Sequence, residues 1–411
     1  MANKTNVTII GGCGHVGLPL GVILAMLPDF QVSLLDIDQQ KIDQVNAGIM
    51  PFMEEDMAPV LARVANHSLK ATGDPQVLAT ADVVVSVIGT PVDRHLNPLL
   101  NEIHRHADEA IGRMKDDSLL IMRSTLYPGV TKLIYDRIKS RKRKIHLAVC
   151  PERILQGRAL YEIPNLPQLV GAFEKEAEER AGAFFKKITN TVVFCDPLEA
   201  EFGKLMCNSW RYLEFAIANQ FYVLCQRYGL DFYHIFECFR HEYPRMTHFP
   251  RAGLTAGPCL LKDTLQMSAF SNNLFLLGSQ AMVVNESLPN FIIERLQPAT
   301  LADRSVAILG MAFKGNCDDK RDSLAYKLKN LLIVYAKEVF CTDPYISDPS
   351  FVPLEQALKA DVIVLGAPHT LYSDLKFSEE KTVIDVWGFW PRREVRSEKR
   401  SQDPKLAVIA E

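Results

Sequence analysis

The chain has 411 residues, too many for one ordinary core and enough for about two to four domains. With 48% hydrophobic and 23% charged residues, it is neither disordered nor collagen-like, and a formal net charge of −3 offers no global attraction to nucleic acid or an anionic membrane. No apolar run reaches the ~18 residues of a bilayer span, and the polar start Met1–Asn6 lacks a signal-peptide pattern. Nine cysteines, without CxxC pairs, argue against a disulfide framework or a zinc site and predict a reducing cytoplasm.

The predicted elements begin with a short apolar strand, Val7–Ile10, ending in Gly11-Gly12, and a helix-period stretch follows through Met26. Gln31–Leu35, Asp82–Ile88, Leu119–Met122 and Ile145–Val149 read as further strands, the last two separated by a helix opened by Pro128. Strands apolar on both faces and alternating with helices predict a parallel sheet covered by helices. From Pro197 the pattern changes. Leu198–Tyr228 has helix periodicity with Gly229 as its stop, and its second half is apolar around most of its circumference, which requires a core or a subunit interface. More helix follows over Leu276–Leu296. The βα alternation then returns, with strands at Ser305–Leu309, Val339–Thr342, Asp361–Leu365 and Val383–Val386 and a helix at Ala325–Ala336. The expected architecture is α/β: two Rossmann-like doubly wound domains (1–196 and 301–411) joined by a long central helix and a helical middle domain (197–300).

Gly12-Cys13-Gly14-His15-Val16-Gly17 is a G-x-G-x-x-G that follows a strand and opens a helix, and Asp36 closes the next strand 19 residues later. Glycines let the backbone approach a pyrophosphate, a helix N-terminus stabilises its charge, and the carboxylate accepts from a ribose hydroxyl while repelling a 2′-phosphate. NAD is the expected cofactor. Lys204 and Asn208 share one helix face, with Glu201, Arg211 and Asn219 near the same stripe, and this stripe is read as a site wall. Cys259 and Asp263 are four apart, so a helix starting there points both one way. Spacing alone leaves Cys259 open between a small buried hydrophobe and a nucleophile, while the hydrophobe reading suits Cys195, Cys207, Cys225, Cys238 and Cys341 best. His95, His104 and His106 are expected at solvent, Arg141–Lys144 in a solvated loop tip, and no metal site is expected.

GGCGHVG (Gly11–Gly17), VIGTP (Val87–Pro91), RSTLYPG (Arg123–Gly129), CPERILQG (Cys150–Gly157), EFGKLMCNSWR (Glu201–Arg211), YPR (Tyr243–Arg245), GPCLLKD (Gly257–Asp263) and GMAFKGNCDDKRDS (Gly310–Ser323) together resemble the UDP-glucose/GDP-mannose dehydrogenase family over nearly the whole chain. The resemblance implies an NAD-dependent, four-electron oxidation of a nucleotide sugar's C6 alcohol to the carboxylate, by two hydride transfers in one site. It implies that Cys259 traps the aldehyde as a thiohemiacetal, later oxidised to a thioester and hydrolysed. By the same similarity Lys204 and Asn208 would stabilise oxyanions, Asp263 would position or deprotonate water, and Glu152 and Thr125 would assist proton transfers. Glu54 and Thr90 match positions near the cofactor. Lys314 and Arg321 would help hold the nucleotide-sugar diphosphate, and Arg245 would reach substrate from a partner subunit, in keeping with a homodimer. A role in polysaccharide biosynthesis goes with this family.

Some positions depart from the family pattern. Gln156 stands where glucose-type members carry a second Glu, Leu254 and Ala256 replace usual glycines, and Cys317 replaces a common threonine. Pro-Glu-Arg followed by Gly157 is nearer the N-acetylhexosamine branch, whereas Cys-Leu-Leu-Lys-Asp is nearer the glucose wording. A UDP-N-acetylhexosamine is therefore preferred over UDP-glucose. Two other readings compete. A one-step β-hydroxyacid or 6-phosphogluconate-type dehydrogenase lacks the second α/β domain and the thiol, and a nucleotide-sensing scaffold has no need of a nucleophile.

Overall fold

A computed structural model describes residues 4–89, 99–255 and 257–390 of the chain. It divides into two compact units, the first comprising described residues of Met1–Leu213, Ala256–Met282 and Cys317–Asp322, the second those of Glu214–Thr255, Val283–Asn316 and Ser323–Glu411.

Eight strands of the first unit form one sheet: β1 (Thr5–Ile10), β2 (Phe30–Leu35), β3 (Leu69–Thr72), β4 (Val83–Ser86), β5 (Leu119–Met122), β6 (His146–Val149), β7 (Gln168–Ala172) and β8 (Val192–Cys195), in the order β3-β2-β1-β4-β5-β6-β7-β8. Every pairing is parallel except β6 with β7. The period of two in a strand explains why β4 and β5 read as continuous apolar runs. Val83, Val85, Leu119 and Ile121 enter the core on one face, and Val84, Leu120 and Met122 enter a second core on the other. The strand order reverses between β1 and β4, and there the loops at the carboxyl ends of neighbouring strands diverge to leave a crevice. The glycine-rich turn after β1, Asp36 after β2, Thr125 after β5 and Glu152 after β6 all lie at that edge.

The second unit contains a four-stranded parallel sheet, β9 (Ser305–Leu309), β10 (Glu338–Thr342), β11 (Val362–Leu365) and β12 (Thr382–Ile384), ordered β10-β9-β11-β12. Ala307, Leu309, Ile363 and Leu365 build its core with Tyr372 and Trp390. Its helical part is pinned by polar contacts inside the fold. Asn219 donates to Asn285 Oδ1 (2.9 Å) and accepts from the Gly253 amide (2.8 Å), and the Tyr233 hydroxyl donates to the Val386 carbonyl (2.6 Å). The chain thus has parallel-sheet, Rossmann-like N- and C-terminal domains and a helical central domain.

The long helix runs Pro197–Arg227 and ends before Gly229, whose φ of +66° is the left-handed stop the sequence predicts. Its apolar second half is not buried all round. Ile217, Phe221 and Leu224, with Met206 and Trp210 from the first half, are 44–59% exposed and fall within one narrow face at helical spacing.

Candidate active site

Three glycines of the turn after β1 do different work. A Cβ on Gly12 would sit 2.7 Å from Leu34 Cα and 2.8 Å from the Ile9 carbonyl oxygen, and one on Gly17 would sit 2.6 Å from the Gly11 oxygen. Both positions therefore need glycine for strand and helix to close on each other. On Gly14 a Cβ would meet only the Gly11 oxygen at an ordinary 3.6 Å. Space is left in front of Gly14, at the start of the helix Gly17–Ala25, where an anion is favoured by converging amides. Asp36 fastens the turn: its Oδ2 accepts the Cys13 amide (2.8 Å) and its Oδ1 accepts the Ile37 amide (2.8 Å). His15 and Val16 occupy the same turn. The His15 ring lies 4.0 Å from the Phe52 ring centroid, and its Nδ1 lies 3.1 Å from Gln156 Nε2. Burial lowers the His15 pKa to about 4, so the ring is neutral at pH 7. These residues fit a dinucleotide pyrophosphate. An apolar cavity of about 140 Å³ opens beside the turn, between Ile10, Leu35, Leu78, Ile88, Ile103 and Ala107.

Cys259 precedes the helix Leu260–Phe270, and Asp263 lies in its first turn, completely buried. Asn208 on the long helix donates to Asp263 Oδ2 at 2.5 Å, and Lys262 reaches Oδ1 at 2.6 Å. A fully buried carboxylate is costly unless paired, and these two donors supply the pairing. Lys204, one turn before Asn208, is close enough to Asp263, Cys259 and Glu152 for their charges to raise its pKa, but burial outweighs them and the net shift is downward. Cys259 is exposed, unlike the cysteines that fill cores. Its surroundings still raise the thiol pKa, first by desolvation and then through Asp263, against the lowering pull of Lys262, Lys204 and Arg321. The thiol, the carboxylate, the ammonium and the carboxamide named by the sequence therefore form one cluster.

Other expected residues are differently engaged. Glu152 forms an ion pair with Arg123, which is 1% exposed, and its Oε1 accepts the Arg153 (2.7 Å) and Ile154 (2.9 Å) amides. Arg123 also donates to Gln168 Oε1 at 2.8 Å, linking the ends of β5 and β6 to the start of β7. Within RSTLYPG, Arg123 directly follows an all-apolar strand, and a charged residue at that place is itself a signal in the sequence. Glu54 accepts the Gly157 (3.0 Å) and Ala159 (2.6 Å) amides and is buried by them. The stripe around Lys204 is not one continuous wall. Glu201 turns away to accept Gly129 N (2.6 Å) and Thr131 N (2.7 Å), fastening the start of the helix Val130–Ser140, Asn219 is spent inside the second unit, and Arg211 is exposed. Thr125 is half-buried.

Arg321 of the first unit is held by Asp319, an acid the sequence did not single out, with Nη2–Oδ2 at 2.6 Å. In the second unit Arg245 is exposed and its Nη1 donates to the Tyr243 hydroxyl (3.1 Å), while the half-buried Lys314 lies 6.0 Å from the Phe313 ring centroid. Thr90 and His95 lie outside the described residues. His104 and His106 are half-buried rather than solvent-exposed, because the helix Leu100–Arg113 turns them toward the fold; His106 lines the apolar cavity. Among the cysteines expected as buried hydrophobes only Cys341 is buried. Cys207 and Cys238 are exposed and Cys195 and Cys225 half-buried, since each falls on a helix or edge-strand face that its own unit leaves uncovered.

Family models of the UDP-glucose/GDP-mannose dehydrogenase family match in order along the chain: the NAD binding domain over residues 5–189, the central domain over 198–287 and the UDP binding domain over 307–392. The chain is 29% identical over 381 residues to a UDP-N-acetyl-D-mannosamine dehydrogenase of Methanocaldococcus jannaschii, covering 90% of this chain and 88% of that protein. It is 25% identical over 411 residues to an NDP-N-acetyl-D-galactosaminuronic acid dehydrogenase of Ralstonia nicotianae, covering 93% and 96%. The solved structure of a UDP-D-ManNAc dehydrogenase from Pyrococcus horikoshii superposes with a TM-score of 0.83 at 26% identity, covering 90% of this chain and 91% of that one. No helix among the described residues is long and apolar enough to cross a membrane. With a glycine-rich turn that fits a pyrophosphate and three domain models matched in order, the chain belongs to the UDP-glucose/GDP-mannose dehydrogenase family and is an NAD-binding nucleotide-sugar dehydrogenase.

Proposed function

We propose that the protein oxidises the C6 alcohol of a UDP-N-acetylhexosamine to the uronic acid in two successive two-electron steps through a covalent bond to Cys259. The observation that carries the reading is an exposed thiol four residues before a buried, fully paired carboxylate, with Lys204 in electrostatic reach of both. NAD held at the glycine-rich turn would supply the oxidising power, one hydride acceptor for each of the two steps. Lys204 and Asn208 stabilise negative charge that develops on the C6 oxygen, and Lys204 is suited to this because burial has weakened its hold on its own proton. The Cys259 sulfur adds to the aldehyde carbon as a thiohemiacetal. After the second oxidation it is held as a thioester, so the intermediate cannot diffuse away. Asp263 orients the water that cleaves the thioester, returning the thiol and releasing the carboxylate. Glu152, fixed by Arg123, and Thr125 are proposed to assist proton movement. Lys314 and Arg321 are proposed to help hold the nucleotide-sugar diphosphate, Arg245 to reach substrate from a partner subunit, and Asp36, Glu54 and Thr90 to form or support the cofactor site.

The choice of an N-acetylhexosamine rests on the Pro-Glu-Arg wording, with Gln156 in place of a second carboxylate, and on relatives named as UDP-N-acetyl-D-mannosamine and NDP-N-acetyl-D-galactosaminuronic acid dehydrogenases. The exposed apolar stripe on the long helix supports a homodimer, since unpartnered aromatic and aliphatic side chains on one face fit a subunit interface. NADH absorbance with UDP-glucose, UDP-N-acetylglucosamine, UDP-N-acetylmannosamine, UDP-galactose and GDP-mannose tests the proposal. Two NADH per sugar with a UDP-N-acetylhexosamine are expected. One NADH per sugar, or full acid production by Cys259→Ala, rejects the mechanism.

A further inference from the structure

The segment Cys317–Asp322 belongs to the first unit, which also holds Cys259, and its Arg321 lies within electrostatic reach of that thiol. Its backbone is fixed at both ends. Cys317 Sγ accepts the Asp319 amide (3.2 Å), and the Asp322 carbonyl accepts the amide of Gly257, two residues before Cys259 (3.4 Å). Between these anchors Asp319 is almost wholly buried. Its Oδ1 accepts the Arg321 amide and Nε, each at 3.0 Å, and its Oδ2 accepts Nη2 at 2.6 Å. A planar guanidinium held edge-on by a carboxylate has few conformations left, which a lone arginine on an exposed segment would not share.

The far side of Asp319 faces the cofactor turn. His15 Nε2 lies 4.0 Å from Asp319 Oδ2, and Gln156 Nε2 lies 3.1 Å from His15 Nδ1. With Gln156 donating to Nδ1, the neutral ring carries its proton on Nε2, the nitrogen nearer the Asp319 carboxylate. Asp318 adds a further tie by accepting the Met53 amide at 2.9 Å.

We propose that Asp319 is a positioning residue: it holds the Arg321 guanidinium beside Cys259, backed by the Gln156–His15 pair of the cofactor turn, so that a fixed positive charge assists formation of the reactive thiolate. The inference rests on Cys259 being the nucleophile. It gives Arg321 a part in activating the sulfur besides its proposed contact with substrate phosphate. The groups facing the thiol are Asp263, which disfavours the thiolate, and Lys262, Lys204 and Arg321, which favour it. Burial works against the Asp319 carboxylate, but the Arg321 hydrogen bonds outweigh it and keep its pKa below the usual range.

The test is site-resolved alkylation of Cys259 by iodoacetamide across pH, followed by peptide mass spectrometry on the full chain, without NAD or sugar. Asp319→Asn and Arg321→Gln should each shift the alkylation profile to higher pH and slow the reaction at pH 8 by about 3–10-fold. The double variant should be no slower than Arg321→Gln alone, because both changes remove one effect. A wild-type pH profile in Asp319→Asn overturns the proposal, as does a double variant whose loss is the product of the single losses. Should Asp319→Asn fail to fold, Arg321→Gln still decides, since an unshifted profile there removes the charge effect itself. Failure of the nucleophile reading is seen separately, as acid production by Cys259→Ala.

Discussion

Asn208 Nδ2 donates to Asp263 Oδ2 at 2.5 Å, and this contact joins the long helix to the first turn of the helix that follows the thiol. After desolvation, the charge of Asp263 raises the Cys259 pKa, while the role proposed for its carboxylate is to orient water. Asp263→Asn should therefore split two readouts. Turnover should fall about 10²–10⁴-fold, whereas Cys259 alkylation at fixed pH should become faster. Parallel loss of both would show that Asp263 acts only by holding the fold.

The three glycines of the cofactor turn predict three unlike variants. Gly14→Ala should leave the melting temperature unchanged and raise the KM for NAD, because its methyl enters free space in front of the turn. Gly12→Ala and Gly17→Ala press on backbone atoms within 2.6–2.8 Å and should lower the melting temperature. Thermal melts beside NAD titrations check the contrast, and equal melting temperatures for all three would refute it.

Glu152 neutralises a nearly inaccessible arginine. Removing one partner of a buried ion pair costs about 3–5 kcal/mol. Glu152→Gln should accordingly lose stability as well as activity, and denaturant unfolding measures how much. Arg123→Met with Glu152→Gln should recover part of that stability, since no charge is then left uncompensated.

His15 gives the fold a dependence on acid. Its folded pKa of about 4 lies below the ordinary 6.5, so between these values the unfolded chain binds the extra proton. Stability from this ring is fully present above pH 6.5, declines as pH falls toward 4, and changes no further below that. The full loss is on the order of 3 kcal/mol. Melting temperature against pH should show the decline, and His15→Gln should flatten it.

If the stripe on the long helix is a subunit interface, Trp210→Glu with Phe221→Glu should yield a monomer. Both side chains are exposed in the single chain, at 59% and 44%, so the fold itself should survive. Light scattering reads the mass, and a monomeric wild type removes the proposal.

The sequence made the sheet legible where strands are apolar on both faces. Leu119–Met122 and Ser305–Leu309 match the structure residue for residue. It hid β3, whose Leu-Lys-Ala-Thr alternates burial over only four residues, and β8, whose Val193 and Phe194 face outward and break the rule that apolar means buried. In the candidate site the four-residue spacings put Lys204 with Asn208 and Cys259 with Asp263, since residues four apart on a helix share a face, but spacing left the role of Cys259 open and the family resemblance singled it out. Asp319 stayed hidden because its partners, His15 and Arg321, converge through loops, and no periodicity describes a loop. The carboxylates Glu54 and Glu201 were harder still. Both look functional by type, yet each accepts backbone amides at the start of a neighbouring helix, a role visible only once the chain is folded.

Cys207 and Cys238 stand open to solvent alongside Cys259. Storage in air will therefore oxidise the molecule at more than one place, and total thiol loss will run ahead of any loss confined to one sulfur. A preparation judged by its overall thiol content can look damaged while still competent, or look intact after the sulfur proposed as the nucleophile has been consumed. Only a measurement that follows each sulfur by its own peptide separates ageing of the surface from death of the enzyme.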